Sequence, residues 1–289
     1  MKYAAVALSA LLISTPAIPA GKPPAVGTSS AEVIYTLTGR NSYELLVSNE
    51  DGTGAVSLFK SANQLNGRLG PRAGRTVAFW NGGELNLLIY DITSTGVKAG
   101  TKQVLLNSGR RFASPFDFSG TDIAWWHPET NQLHVYNLVG GDHVIATVAA
   151  LTSVSFSPDG ASIFYAQGTG PTTSVMRSIP TAGGDASDVG ISGYIYSFDS
   201  GHQSNAFAVA YQVAGVGPHL DYIPAGQTSG ATFANGSDGA FRCDDKVIIY
   251  RRSSGGNTVS TLKYNLVSNS TSTFSTNSNI IFASYMPTC

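Results

Sequence analysis

The 289-residue chain is poor in charge: Asp, Glu, Lys and Arg make up 12% of it, with 17 basic residues against 18 acidic. A surface that neutralises phosphates needs a clustered basic excess, so nucleic acid is not an expected partner. Long apolar runs are missing as well. The longest, Ala4 to Ile13, is about half the ~20 residues that cross a bilayer, so no transmembrane segment is expected in the mature chain. Catalytic signatures are equally scarce. There is no Gly-x-Ser-x-Gly elbow, no His-Glu-x-x-His and no Gly-rich phosphate loop. The five histidines, His127, His134, His143, His202 and His219, lack ligand spacing, and neither a metal nor another cofactor is expected.

What is present begins with Met1-Lys2, the short apolar core, and Ser14-Thr15-Pro16-Ala17-Ile18-Pro19-Ala20. A positive start, an apolar centre and small residues at the end read as a secretory signal peptide over residues 1–20, cleaved after Ala17 or Ala20. The mature protein is therefore expected in the periplasm or outside the cell. Residues 21–30 are a short linker, and 31–289 form one domain. In an exported protein the two cysteines, Cys243 and Cys289, point to a disulfide rather than a metal or redox site.

The remainder repeats. A β-branched strand ending in aromatics recurs as Val33-Ile34-Tyr35, Val77-Ala78-Phe79-Trp80, Ile123-Ala124-Trp125-Trp126, Ile163-Phe164-Tyr165, Phe207 to Tyr211 and Val247 to Tyr250, at spacings of 44, 46, 40, 44 and 40 residues. A further strand follows each time, from Tyr43, Leu85, Gln132, Ser174, His219 and Ser260, then a turn of small or polar residues. A leading strand precedes the corner in Pro115-Phe116-Asp117-Phe118, Val154-Ser155-Phe156, Tyr196-Ser197-Phe198 and Phe241-Arg242-Cys243. Four strands in about 40–45 residues make one propeller blade, so the expected fold is all-β, a six-bladed β-propeller of four-stranded antiparallel blades.

The first copy lacks its leading strand, while the chain ends on an orphan, Asn279 to Ser284. Giving the orphan to the first blade closes the ring and hides two sheet edges. A Cys243–Cys289 bridge would latch that closure, contributing on the order of 4 kcal/mol in the chain-entropy treatment of a loop of about 45 residues.

Phe156-Ser157-Pro158-Asp159-Gly160, followed by Ile163-Phe164-Tyr165, resembles the WD-repeat-like unit of TolB-type propellers. Leu45-Leu46-Val47-Ser48-Asn49-Glu50-Asp51-Gly52 is similar to that family's second-strand turn. Only the fourth blade keeps Ser-Pro-Asp-Gly; the corresponding corners read Pro71-Arg72-Ala73-Gly74, Phe118-Ser119-Gly120-Thr121, Phe198-Asp199-Ser200-Gly201 and Cys243-Asp244-Asp245-Lys246. The resemblance implies a propeller without TolB's additional N-terminal domain, and a role among proteins that bind other envelope proteins.

Asp159 is expected to cap its own turn, and Trp125-Trp126-His127 to pack in the core. Between their aromatics the innermost strands carry Asp117, Ser155, Ser197 and Arg242, with Ser284 near register in the closing strand. These five are the candidate ligand-binding residues of the central channel. The expected function is a monomeric scaffold for an envelope or secreted protein or peptide. The alternative is an enzyme or glycan-binding propeller with convergent carboxylates at the channel mouth, for which Asp117, Asp199 and Asp244 are the available acids.

Overall fold

The second strand of each repeat is apolar on successive residues because another sheet presses on each of its faces. A computed structural model describes residues 32–70, 76–81, 86–93, 96–97, 101–107, 116–119, 122–137, 140–215, 217–253 and 259–285. The signal segment, the linker, the corner at 71–74 and Cys289 lie outside the described residues.

In chain order, the first blade holds β1 (Glu32–Thr38), β2 (Tyr43–Asn49) and β3 (Val56–Ser61). The second holds β4 (Leu65–Gly70), β5 (Thr76–Asn81), β6 (Asn86–Thr93), β7 (Gly96–Val97) and β8 (Gln103–Asn107). The third comprises β9 (Phe116–Phe118), β10 (Asp122–His127), β11 (Gln132–Asn137) and β12 (Gly141–Thr147), and the fourth β13 (Leu151–Phe156), β14 (Ser162–Gly170), β15 (Thr173–Pro180) and β16 (Ser187–Gly193). The fifth runs through β17 (Ile195–Ser200), β18 (Phe207–Val213), β19 (Gly217–Ile223) and β20 (Ala231–Asn235). The sixth comprises β21 (Ser237–Phe241), β22 (Val247–Ser253), β23 (Val259–Asn265) and β24 (Ser270–Ser275), and β25 (Ile280–Tyr285) ends the described chain.

Every pairing is antiparallel, and β25 joins the first blade as its innermost strand, in the order β25-β1-β2-β3. The orphan strand thus closes the ring as its sequence position required. In the second blade the outer strand is broken, with β7 against Ile92–Thr93 and β8 against Asn86–Ile89. The innermost strands touch in sequence around the axis: β25, β4, β9, β13, β17, β21 and β25 again.

Burial follows this geometry. All six residues of β5, TVAFWN, are buried, whereas most of β24, STSTFS, is exposed. Ser and Thr keep the extended backbone while giving the edge no apolar face that could recruit another chain. A separate apolar cluster fills each junction between blades. At the closure, Ile280, Ala283 and Tyr285 of β25 pack with Val33 and Tyr35 of β1 and with Ala240, Val247 and Ile249 of the sixth blade. Burying each large side chain there stabilises the ring by about 1.5–3 kcal/mol.

The corners show which residues are equivalent. In the fourth blade Gly160 takes φ 65° and its N–H donates to Ser157 O at 2.9 Å, while Asp159 Oδ1 accepts from Ser157 Oγ at 2.6 Å and from Ala161 N at 3.0 Å. Asp159 caps its turn, as expected, and these bonds hold its carboxyl below the usual range, the Ser157 bond foremost.

In the sixth blade Asp245 takes φ 55° and donates to Arg242 O at 2.9 Å, and Asp244 Oδ1 accepts from Lys246 N at 3.1 Å. The corner equivalent to Ser157–Gly160 is therefore Arg242–Asp245, one residue earlier than the sequence pattern suggested. The leading strand ends at Phe241, so Arg242 and Cys243 belong to the turn rather than the strand.

Candidate functional site

Four of the six innermost strands slip register near their starts. The pairing jumps past Thr152 in β13, past Tyr196 in β17, past Asp238 and Gly239 in β21 and past Ile281 in β25. Such irregularities redirect side chains that a regular ladder would hold in the sheet faces. Thr152, Tyr196 and Asp238 line a cavity of about 580 Å³, and Tyr196, Asp238 and Ile281 line a neighbouring one of about 350 Å³. The two share Asn66, Tyr196, Asp238 and Phe282, and together they occupy the channel mouth at the starts of the innermost strands.

The mouth is aromatic and carries charge. Tyr194 and Tyr196 are 39% and 51% exposed and flank Ile195, which is fully buried. Asp238 raises the Tyr196 phenol above its ordinary pKa, with burial adding to the effect. Asp238 is itself paired, its Oδ2 lying 3.3 Å from Arg251 Nη1. Among the described residues Arg68 has no such partner: its guanidinium carbon lies 4.7 Å from the Phe282 ring centroid, and its Nη1 is shielded from water without a hydrogen bond. Ser197 Oγ is likewise buried and has no hydrogen-bond partner among the described residues.

Aligning the blades on strand register places Asp117 opposite Ala124, Ser155 opposite Phe164, Asp199 opposite Ala208, Ser284 opposite Ile34 and Arg68 opposite Ala78. These positions form one level of the channel. Asp117 and Ser155 meet there, since Ser155 Oγ lies 3.3 Å from Asp117 Oδ2, 3.3 Å from Asp199 Oδ1 and 3.0 Å from Ser200 Oγ. The carboxylates also clasp adjacent blades: Phe156 N donates to Asp117 at 2.8 Å and Phe241 N to Asp199 at 2.9 Å.

Ser197 sits two residues earlier and lines the larger cavity. Ser284 is buried at the same level as Asp117, its hydroxyl 3.4 Å from Tyr285 O. Arg242 faces the seam between the sixth and first blades, Nη2 2.7 Å from Asp244 Oδ2 and Nη1 3.1 Å from Glu50 Oε2. Of the five candidates, Ser197 lines the larger of these two cavities, and Asp117, Ser155, Arg242 and Ser284 line neither of the two.

The sequence reading missed Arg68, Tyr194, Tyr196, Asp238 and Arg251. The one available signal was the pair of tyrosines on either side of an isoleucine in Tyr194-Ile195-Tyr196. The aromatic cluster divides: Trp125 is 3% exposed and stacks on His134 at 3.9 Å, while Trp126 lines the cavity and donates from Nε1 to Val148 O at 2.8 Å.

Cys243 is fully buried, and no described cysteine is a free thiol. Among the described residues, no group of three or more His, Cys, Asp or Glu is placed to hold a metal, and no helix is long and apolar enough to cross a membrane.

Six blades around an axis, closed by the C-terminal strand and hollowed at one mouth, define a six-bladed β-propeller. No protein-family profile and no curated protein matches the sequence. Solved structures do match. TolB from Acinetobacter baumannii aligns with a TM-score of 0.75 and 13% identity, over 91% of this chain and 68% of that one. A putative TolB from Agrobacterium tumefaciens gives a TM-score of 0.58 and 11% identity over 90% and 92% of the two chains. A chain of the nidogen–laminin complex gives 0.62 and 10% over 90% and 100%. In fold, the protein is a TolB-like six-bladed propeller.

Proposed function

We propose that the chain is an exported binding scaffold, periplasmic or secreted and monomeric, whose channel mouth holds a protein or peptide of the bacterial envelope. The carrying observation is the pair of exposed tyrosines, Tyr194 and Tyr196, set over a cavity of about 580 Å³. That volume falls within the usual range for ligand sites, roughly 300–1,000 Å³, and half-exposed tyrosines supply rigid amphipathic contact area at little entropic cost. The signal segment supports export, and the Cys243–Cys289 bridge belongs to the same reading as the latch of an exported ring.

Binding is favoured over hydrolysis by the state of the acids. Asp117 and Asp199 converge on Ser155, but each uses an oxygen to hold a backbone N–H of the next blade, and Asp244 is paired with Arg242. The test is recovery of envelope proteins after crosslinking to the tagged wild-type protein and to the Tyr194→Ala/Tyr196→Ala variant, with fractionation of the cells. A specific partner lost in the variant is expected. Recovery of the same proteins by both, or a cytoplasmic location, would overturn the reading.

A further inference from the structure

We infer that the cup at the channel mouth binds the free C-terminal end of a polypeptide, with Arg68 taking its carboxylate. The inference rests on the scaffold reading above and names the part of the partner that enters.

The charge of the site comes first. Among the described residues the cavity walls carry Arg68, Arg251 and Asp238, and the Arg251–Asp238 pair leaves the Arg68 charge over. Arg68 takes part in no ion pair among the described residues. Phe282 beneath the guanidinium offsets part of its cost through the ring's negative face, yet Nη1 still lacks an acceptor. A partly desolvated cation without an anion is an arrangement that a carboxylate completes, and the guanidinium fork matches that group's two oxygens.

The shape then selects a chain end. Arg68 stands at the level of Asp117, Ser155, Asp199 and Ser284, all of which are shielded from water. The described residues therefore make a cup with Arg68 in its floor rather than a passage open along the axis. An extended chain entering past Tyr194 and Tyr196 cannot continue through, and its last residue meets Arg68. Ser197 Oγ, on the fifth blade across the same cavity and without a partner among the described residues, is the polar group offered to the terminal peptide unit, and Phe116, Trp126 and Val154 offer the apolar surface for the last side chains.

The test is affinity selection from a synthetic library of random tetrapeptides, made once with free C-terminal carboxylates and once as C-terminal amides, against wild-type protein, Arg68→Gln and Tyr196→Ala. Selected acids should bind at least about tenfold more tightly than their amides, the order expected of a charge-assisted bidentate bond. That preference should vanish in Arg68→Gln, whereas Tyr196→Ala should weaken acid and amide alike. Equal binding of acids and amides, an unchanged preference in Arg68→Gln, or enrichment of neither library would overturn the inference. So would binding of an acidic disaccharide such as digalacturonate where the peptides fail. If envelope partners are still lost in the double tyrosine variant but bind undiminished to Arg68→Gln, the scaffold reading stands and the chain-end inference falls.

Discussion

Asp245 holds two blades together from a backbone conformation that ordinarily favours glycine, and replacing it separates those two effects. Its φ of 55° is left-handed, which costs a side-chain-bearing residue about 1 kcal/mol relative to Gly. From there its carboxylate accepts from the N–H groups of His202 at 2.5 Å, Gln203 at 3.0 Å and Ser204 at 2.9 Å, and from Ser204 Oγ at 2.9 Å. These donors lie in the connection between β17 and β18, which is the fifth blade's true corner, after Ser200 rather than at Phe198–Gly201, so the clasp spans a blade junction. The site is only half-buried, and the freed donors can rehydrate, so each bond is taken at the low end, about 0.5–1 kcal/mol. Four bonds then contribute roughly 2–4 kcal/mol. Asp245→Gly recovers about 1 kcal/mol of strain, leaving a net loss of about 2 kcal/mol. At roughly 2–4 °C per kcal/mol for a domain of this size, the melting temperature should fall by about 4–8 °C. Differential scanning calorimetry reads this directly, and Asp245→Asn, which keeps an acceptor but loses the charge, should fall between wild type and the Gly variant. An Asp245→Gly protein as stable as wild type would refute the clasp.

Other consequences follow at the closure. Cys289→Ser should lower the unfolding midpoint of the oxidised protein, by up to about 4 kcal/mol of stability, and leave the reduced protein unchanged; equal midpoints in both states would mean that no bridge forms. Burial of Tyr285, reinforced by its 2.8 Å bond to Glu50 Oε1, raises its phenol above the ordinary value. The native state then keeps a proton that the unfolded chain releases, so the contribution is intact below about pH 10 and is lost as the pH rises further. Tyr285→Phe should flatten that alkaline loss, and a pH–stability profile identical to wild type would contradict the assignment. Asp244 behaves oppositely: burial pushes its carboxyl up, but the Arg242 hydrogen bonds and the bond from Lys246 outweigh this and hold it low. Its contribution is present above about pH 4 and lost as the pH falls, and Asp244→Asn should remove that acid-side dependence from urea titrations.

The ring was legible because its cause is local. Strands such as Val247–Tyr250, buried on both faces, read as short apolar runs at a regular interval, and the unpaired strand at the C-terminus had one vacant place to fill. The sixth corner was displaced by one residue because it has neither Pro nor Gly; Asp245 supplies the left-handed turn that Gly160 supplies in the fourth. Setting Phe241-Arg242-Cys243 against Val154-Ser155-Phe156 put Arg242 in the channel, two residues late; the register gives the position to Ala240, opposite Ile249.

The cup was illegible for a different reason. Whether Thr152, Tyr196, Asp238 and Ile281 project into the mouth depends on where each ladder skips a residue, which is decided by pairing with a neighbour and leaves no mark in composition. Arg68 is a lone basic residue in sequence. It becomes conspicuous only when the Arg251–Asp238 pair and the Phe282 ring are in place around it.

The central claim is that this mouth is where a partner binds. A photo-crosslinking amino acid in place of Tyr196, compared in intact cells with the same group in place of Val267, tests it most directly; Val267 is 73% exposed and lines neither cavity. The account predicts a discrete envelope protein crosslinked from position 196, absent from position 267 and abolished by Tyr194→Ala. The same adducts from both positions, or none from position 196, would contradict it.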